Sequence, residues 1–317
     1  MPTDFLHNHK EFQDLLNIVA DETGIQPQLV EKDYWIMHVL YGLQQQGFNF
    51  ELKGGTSLSK GYKIINRFSE DIDIHIKPDP ADNVEENPKR TKENPVLSRK
   101  EYYDALAKKI SIDGIVKIER DTDFDDLAYY RSGGIRLYNK SFTGSLQGLK
   151  DGILLEAGFS VVTPNEPITI SSWALDKAQS RKVDVIDNRA IDVRCYHPGY
   201  TLVEKLQTVS TKFRKIQPGE DIPPNLMRQY YDIYSLLGHE RVLAFIGSDE
   251  YFAHKEFHFS QTDLAIPTAE NEAYLLSNAD RRDEFRKRYK ATASLYYQGQ
   301  PEFDELLARL HGFLEKL

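Results

Sequence analysis

Residues 54–73 read GGTSLSKGYKIINRFSEDID, and the fold turns on how that stretch is read. Two glycines lead into two hydroxyl residues, a helical pattern follows, and two aspartates then stand one residue apart. Just upstream, FNFELKGG (48–55) alternates Phe48, Phe50 and Leu52 with polar neighbours, the period of a strand. TSLSKGYKIINR (56–67) predicts a helix from about Thr56, with Thr56 or Ser57 as its N-cap. Leu58, Tyr62 and Ile65 would be its buried stripe, and Lys60, Lys63 and Arg67 would share another face. EDIDIHI (70–76) predicts a second strand, with Ile72, Ile74 and Ile76 on one side and Asp71, Asp73 and His75 on the other.

This strand–helix–strand unit carries chemistry. Glycines at a strand end let the backbone approach a ligand closely, and the start of the next helix offers unpaired N–H groups to an anion. Gly54, Gly55, Thr56 and Ser57 form that turn, and Lys60 lies about one turn further on. The spacing is not that of a P-loop. Asp71 and Asp73 project from one strand face. At ~5 Å and an effective dielectric of ~20, two ionised carboxylates repel by roughly 3 kcal/mol. A hard cation such as Mg²⁺, which takes one or two carboxylates plus substrate phosphates, cancels that repulsion. Glu156, alone in the apolar run GILLEAGF, is the candidate third carboxylate, able to complete a metal site or act as base toward an acceptor hydroxyl. His75 reads as a satisfied sheet residue, and Cys195 as inert.

The rest of the chain fits a globular protein. Of 317 residues, 40% are hydrophobic and 28% charged, and the net charge is −9, so no general basic coat for nucleic acid exists. Local basic runs stand at 89–100, 212–215 and 281–290, each reading first as a solvated face. One cysteine excludes an intrachain disulfide and a thiolate cluster. With no apolar leader and no run long enough to span a bilayer, the expectation is a soluble, cytoplasmic protein that does not engage membranes.

Residues 8–46 read as helical and 77–95 as a mobile surface loop. A helix is expected over about 98–111, and GGIRLYNKSF with DGILLEAGFSVV as a hairpin. From about 197 the pattern is helical. There Leu202, Leu206, Val209 and Phe213 make a stripe, NLMRQYYDIYSLLG is a second helix, and two more follow in the last forty residues. The expected fold is α+β with an α/β core. It comprises a helical segment (1–46), a mixed-sheet core with flanking helices (47–165) and a mainly helical C-terminal domain (166–317).

FELKGGTSLSKGYKIINRFSEDIDIHI resembles the opening signature of the AbiEii nucleotidyltransferases, toxins of type IV toxin–antitoxin and abortive-infection (phage-defence) systems within the DNA-polymerase-β-like superfamily. VEKDYWIMHVL is similar to the family's leading helix, and the resemblance runs over most of 28–240. It implies a nucleotidyltransferase core, a lysine on a later helix, met by Lys205 in TLVEKLQT, and an aspartate on the next, met by Asp232 in RQYYDIYSL. Lys205 suits a triphosphate as a point charge on a flexible stem, and Asp232 could hold it in place. Arg67 could steady Asp71 or the phosphates. The implied catalytic set is Asp71, Asp73, Glu156, Lys205 and Asp232. The implied nucleotide cradle is Gly54, Gly55, Thr56, Ser57, Lys60, Arg67 and Lys205. Mg²⁺ or Mn²⁺ would sit on Asp71, Asp73 and Glu156. The site is expected in a cleft between core and C-terminal domain. The implied partners are an NTP, an acceptor that is RNA (a tRNA 3′ end in some relatives) or protein, and a cognate antitoxin. A D-x-D glycosyltransferase acting on sugar nucleotides remains the alternative enzyme, and a non-catalytic nucleotide-binding module the non-enzymatic one.

Overall fold

The computed structural model describes residues 3–146, 148–217 and 220–317. The chain divides into two compact units. The first joins Met1–Gly61 to Ser69–Tyr196, and the second joins Tyr62–Phe68 to His197–Leu317.

The first unit opens with α1 (Phe12–Thr23) and α2 (Pro27–Gln45), so the helical stretch expected over 8–46 consists of two helices. Gly24, at φ 71°, ends α1 in the left-handed conformation and donates its N–H to the Ala20 carbonyl. Pro27 then starts α2 at a position where its missing N–H costs nothing. α2 is buried on nearly every side from Leu29 to Leu40, which marks a helix inside the unit rather than on its surface.

Behind α2 lies one seven-stranded mixed sheet. Its strands are β1 (Asn49–Lys53), β2 (Asp71–Lys77), β3 (Ile115–Arg120), β4 (Ser132–Asn139), β5 (Ile153–Gly158), β6 (Asn165–Ile170) and β7 (Ala190–Tyr196), in the order β3-β4-β5-β2-β1-β7-β6. β2 lies antiparallel to β1 and parallel to β5, while β4 and β5 form the expected antiparallel pair. Residue 165, the expected end of the core, is the first residue of β6. Ile72, Ile74 and Ile76 are buried as the alternation requires.

The stretch 56–67 departs from expectation. A three-residue helix α3 (Gly54–Thr56) passes into a π-type turn over Ser57–Gly61, and helix ends there. The N-cap is Lys53, without a side-chain capping bond, so neither Thr56 nor Ser57 caps it. Gly61 is packed so tightly that a Cβ would lie 3.0 Å from Cys195 Sγ, and Lys63 is left-handed at φ 55°. Residues 62–68 then carry no helix and belong to the second unit, and Lys60, Lys63 and Arg67 share no helix face.

The unit also holds α4 (Glu93–Lys109), which starts five residues earlier than expected, and α5 (Trp173–Ser180). The segment before α4 is tied down rather than loose. Arg99, fully buried, donates to the carbonyls of Glu85, Asn87, Arg90 and Tyr129. That removes it from the basic run 89–100.

The second unit is helical: α6 (Pro198–Lys215), α7 (Pro224–Leu236), α8 (Glu240–Phe245), α9 (Asp249–His258), α10 (Gln261–Leu264), α11 (Glu272–Leu275), α12 (Ala279–Lys290) and α13 (Phe303–His311). Leu202, Leu206 and Val209 are buried, and Phe213 is half-buried beside Phe285. The strap 62–68 belongs here: Phe68 N–H donates to the Leu295 carbonyl, Asn66 N–H to the Tyr231 hydroxyl, and Arg67 bridges Tyr296. The remaining basic runs are laced with acids, with Arg214 on Asp263, Arg281 on Glu284 and Arg286 on Asp304. Among the described residues no helix is long and apolar enough to cross a membrane.

Candidate active site

Asp71 and Asp73 leave one face of β2, and the parallel register sets Asp73 beside Glu156 of β5. On the other side, Asp73 stands opposite Lys53, the last residue of β1 before the glycine turn. Gly54 has φ 68°, and a Cβ there would lie 2.2 Å from Asp73 Oδ2. Only glycine satisfies both the left-handed backbone and that approach. The Asp73 carboxylate therefore lies directly on the glycine turn. The Thr56 hydroxyl donates to the Asp71 backbone carbonyl and ties the same turn to the start of β2.

Thr56 and Ser57 are fully buried, so their side chains do not face a ligand as expected. Ser57 lies beside Cys195, whose thiol burial pushes up to about 12. Gly54 and Gly55 remain as backbone.

The electrostatics of the carboxylates show at Glu156. Burial raises its pKa to about 8, and Asp73 and then Asp71 push the same way; Lys53 and Lys150 pull it down without prevailing. A donor set of three hard oxygens, crowded enough to hold a proton near neutrality, fits a divalent cation such as Mg²⁺.

Around this set stand groups that the sequence reading missed. Lys32 of α2 is buried, with Nζ 2.6 Å from the Lys150 carbonyl and 3.5 Å from Glu70 Oε2. Burial lowers its pKa, while Glu70 and Asp71 raise it. Glu70 Oε2 also accepts from Lys150 N–H at 3.2 Å. Lys32 and Lys150 line a cavity of about 310 Å³ between α2 and the β4–β5 connection. Two polar atoms of its lining residues, Trp35 Nε1 and Gln28 Oε1, are buried with no hydrogen-bond partner among the described residues. The clue was EKD (31–33), three charges inside an otherwise apolar helix. Glu31 accepts from Phe142 and Thr143 N–H, and Asp33 binds Lys60 and accepts from Trp173 N–H. Lys60 is thereby turned to a buried carboxylate rather than held out toward a phosphate. His75 is satisfied by Glu51 at 2.8 Å, as expected.

In the second unit, Asp232 is fully buried and clamped from two sides. Arg67 reaches it in a fork, Nε to Oδ1 at 2.7 Å and Nη2 to Oδ2 at 2.6 Å. Lys205 Nζ meets Oδ2 at 2.7 Å and also donates to Gln229. Burial raises the Asp232 pKa, but Arg67 and then Lys205 prevail and hold it below the usual range. Asp232 therefore holds Lys205, as anticipated, whereas Arg67 grips Asp232 and neither Asp71 nor a phosphate cradle.

A family model described as "Nucleotidyl transferase AbiEii toxin, Type IV TA system" matches residues 38–309. The chain belongs to the AbiEii family. A search of curated proteins found no match. Membership makes this AbiEii chain a nucleotidyltransferase of the toxin–antitoxin type. The match extends beyond 240, through α12 and most of α13, past the region where the sequence resemblance ends. It begins within α2, after Lys32 and Asp33, so their contacts with the site are read from the structure alone.

Proposed function

We propose that this AbiEii chain transfers a nucleoside monophosphate from an NTP to an RNA acceptor, with a tRNA 3′ end as the leading case and a protein hydroxyl as the alternative. Asp71, Asp73 and Glu156 would hold Mg²⁺ or Mn²⁺. The ion supplies charge neutralisation for the phosphates when bound. The backbone at Gly54 and Gly55 lets the polyphosphate come close to Asp73. In the second unit, Asp232 holds the Lys205 ammonium in place. Glu156 takes the proton of the acceptor hydroxyl. The hydroxyl oxygen bonds to the α-phosphorus as the bond to pyrophosphate breaks, and pyrophosphate leaves. The cavity lined by Lys32 and Lys150, which ends at Gly152 just before β5, would take the acceptor. A cognate antitoxin and a cytoplasmic site of action follow from the same reading.

The observation that carries this reading is the placement of Asp73 on Gly54 and beside Glu156. The test incubates the chain with each α-labelled NTP, Mg²⁺, and total RNA or protein extract. Label should appear in RNA and vanish with Asp71→Asn/Asp73→Asn. No transfer to either acceptor, together with no Mg²⁺-dependent NTP binding, overturns the reading.

A further inference from the structure

A second cluster of ligating groups lies wholly within the helical unit, outside the carboxylate site. His254 and His258 stand one turn apart on α9, and Glu204 faces them from α6. Their ligand atoms all lie within 4.8 Å of one another. Nε2 of His254 is 3.9 Å from Glu204 Oε1, and Nε2 of His258 is 4.0 Å from the same oxygen. These gaps are too long for hydrogen bonds. The two rings are only 4.2 Å apart, centroid to centroid.

The surroundings orient these groups. The Tyr200 backbone accepts a hydrogen bond from the His254 ring, which also packs 4.6 Å from the Tyr200 ring. Such an outer hydrogen bond orients an imidazole. A turn lower on α6, the Thr208 hydroxyl donates to the Glu204 carbonyl. The side chains of His258 and Glu204 remain about 30% exposed, which leaves one side open to water. A tetrahedral ion about 2.0–2.1 Å from each ligand holds them roughly 3.3 Å apart, so the two nitrogen–oxygen gaps would close by about 0.6–0.7 Å.

We propose that His254 Nε2, His258 Nε2 and the Glu204 carboxylate bind Zn²⁺ or a similar divalent transition ion, with water as the fourth ligand, tying α9 to α6. Two imidazoles and one carboxylate select such an ion over Mg²⁺, which prefers an all-oxygen shell. Glu204 immediately precedes Lys205, so the ion would brace the helix that carries the candidate catalytic lysine.

The test uses untagged, chelator-treated protein and titrates Zn²⁺ calorimetrically with excess Mg²⁺ present. One site per chain is expected, with affinity falling at least tenfold in His258→Gln and in Glu204→Gln. Binding should be unchanged in Asp71→Asn/Asp73→Asn, which separates this site from the carboxylate centre. Zn²⁺ should raise the melting temperature of the parent chain and not of His258→Gln, and Co²⁺ should show the visible absorption of a tetrahedral centre. Both substituted side chains are partly exposed, and circular dichroism verifies their folding. No Zn²⁺ binding in the presence of Mg²⁺ overturns the proposal. So does binding that survives both single variants, or binding lost only with the two aspartates.

Discussion

Two groups of acids in this molecule meet burial in opposite ways. In the helical unit Asp232 is encased, yet a guanidinium and an ammonium hold it ionised. On the sheet, Glu156 sits beside Asp73 and Asp71, and the surrounding lysines do not keep its pKa at an ordinary value. The first cluster has its cations built in and is a finished piece of architecture. The second lacks that balance, and under the proposed function a metal ion would supply the positive charge.

The comparison makes its largest prediction at Asp232. Asp232→Ala leaves Arg67 and Lys205 buried without their carboxylate and should cost about 3–5 kcal/mol of folding stability in chemical denaturation. Asp73→Asn, in metal-free buffer, should leave stability unchanged or slightly raised while abolishing transfer. Equal losses from the two substitutions would erase the distinction between the clusters.

A smaller effect concerns pH. An acid whose pKa is raised on folding binds its proton more tightly in the folded chain, so its stabilising effect is present at low pH and fades as pH climbs. For Glu156 that window runs from about 4.5 to about 8. Over this window metal-free protein should lose up to about 1.4 kcal/mol per pH unit from this group. Glu156→Gln should flatten the profile, and Mg²⁺ should raise the melting temperature more at pH 8 than at pH 5. A profile that Glu156→Gln leaves unchanged would remove the crowded carboxylates from the account.

A loss of stability smaller than that at Asp232 is expected at the turn. Gly54→Ala forces a side chain into the left-handed region and against Asp73, costing roughly 1–3 kcal/mol. Its effect on transfer should exceed its effect on melting temperature, because the displaced group is Asp73 itself. An active, stable Gly54→Ala would show that the close approach is incidental.

Much of the sheet site was legible because strand alternation is a strict geometric rule. Given β2, Asp71 and Asp73 must share a face, and Glu156 stood out as the one charge in an apolar run. The helix expected over 56–67 failed for a different reason. Leu58, Tyr62 and Ile65 do fall at helical spacing, and Leu58 and Ile65 are indeed buried. However, Ile65 is buried by the second unit's own packing, where tertiary contact overrides local pattern. Arg67, expected beside Asp71 or the phosphates because it stands near them in sequence, instead grips Asp232. The contributions of Glu31, Lys32 and Asp33 were hidden because charges on a helix ordinarily face water. Nothing local announces that α2 is enclosed. In the same way, β7 shows alternation in AIDVRCY, but its parallel pairing with β1 joins residues some 140 apart in the chain.

The strap 62–68 has a consequence for how this polypeptide is made. Seven residues that belong with the C-terminal helices are written into the sequence between the glycine turn and Asp71. A nascent chain that has completed Tyr196 holds every strand of the sheet, yet Ile65, Arg67 and Phe68 still lack the helices that will enclose them. The strap is therefore enclosed only once the helices that follow His197 have been made, and neither unit can be cut out of the gene as one uninterrupted piece.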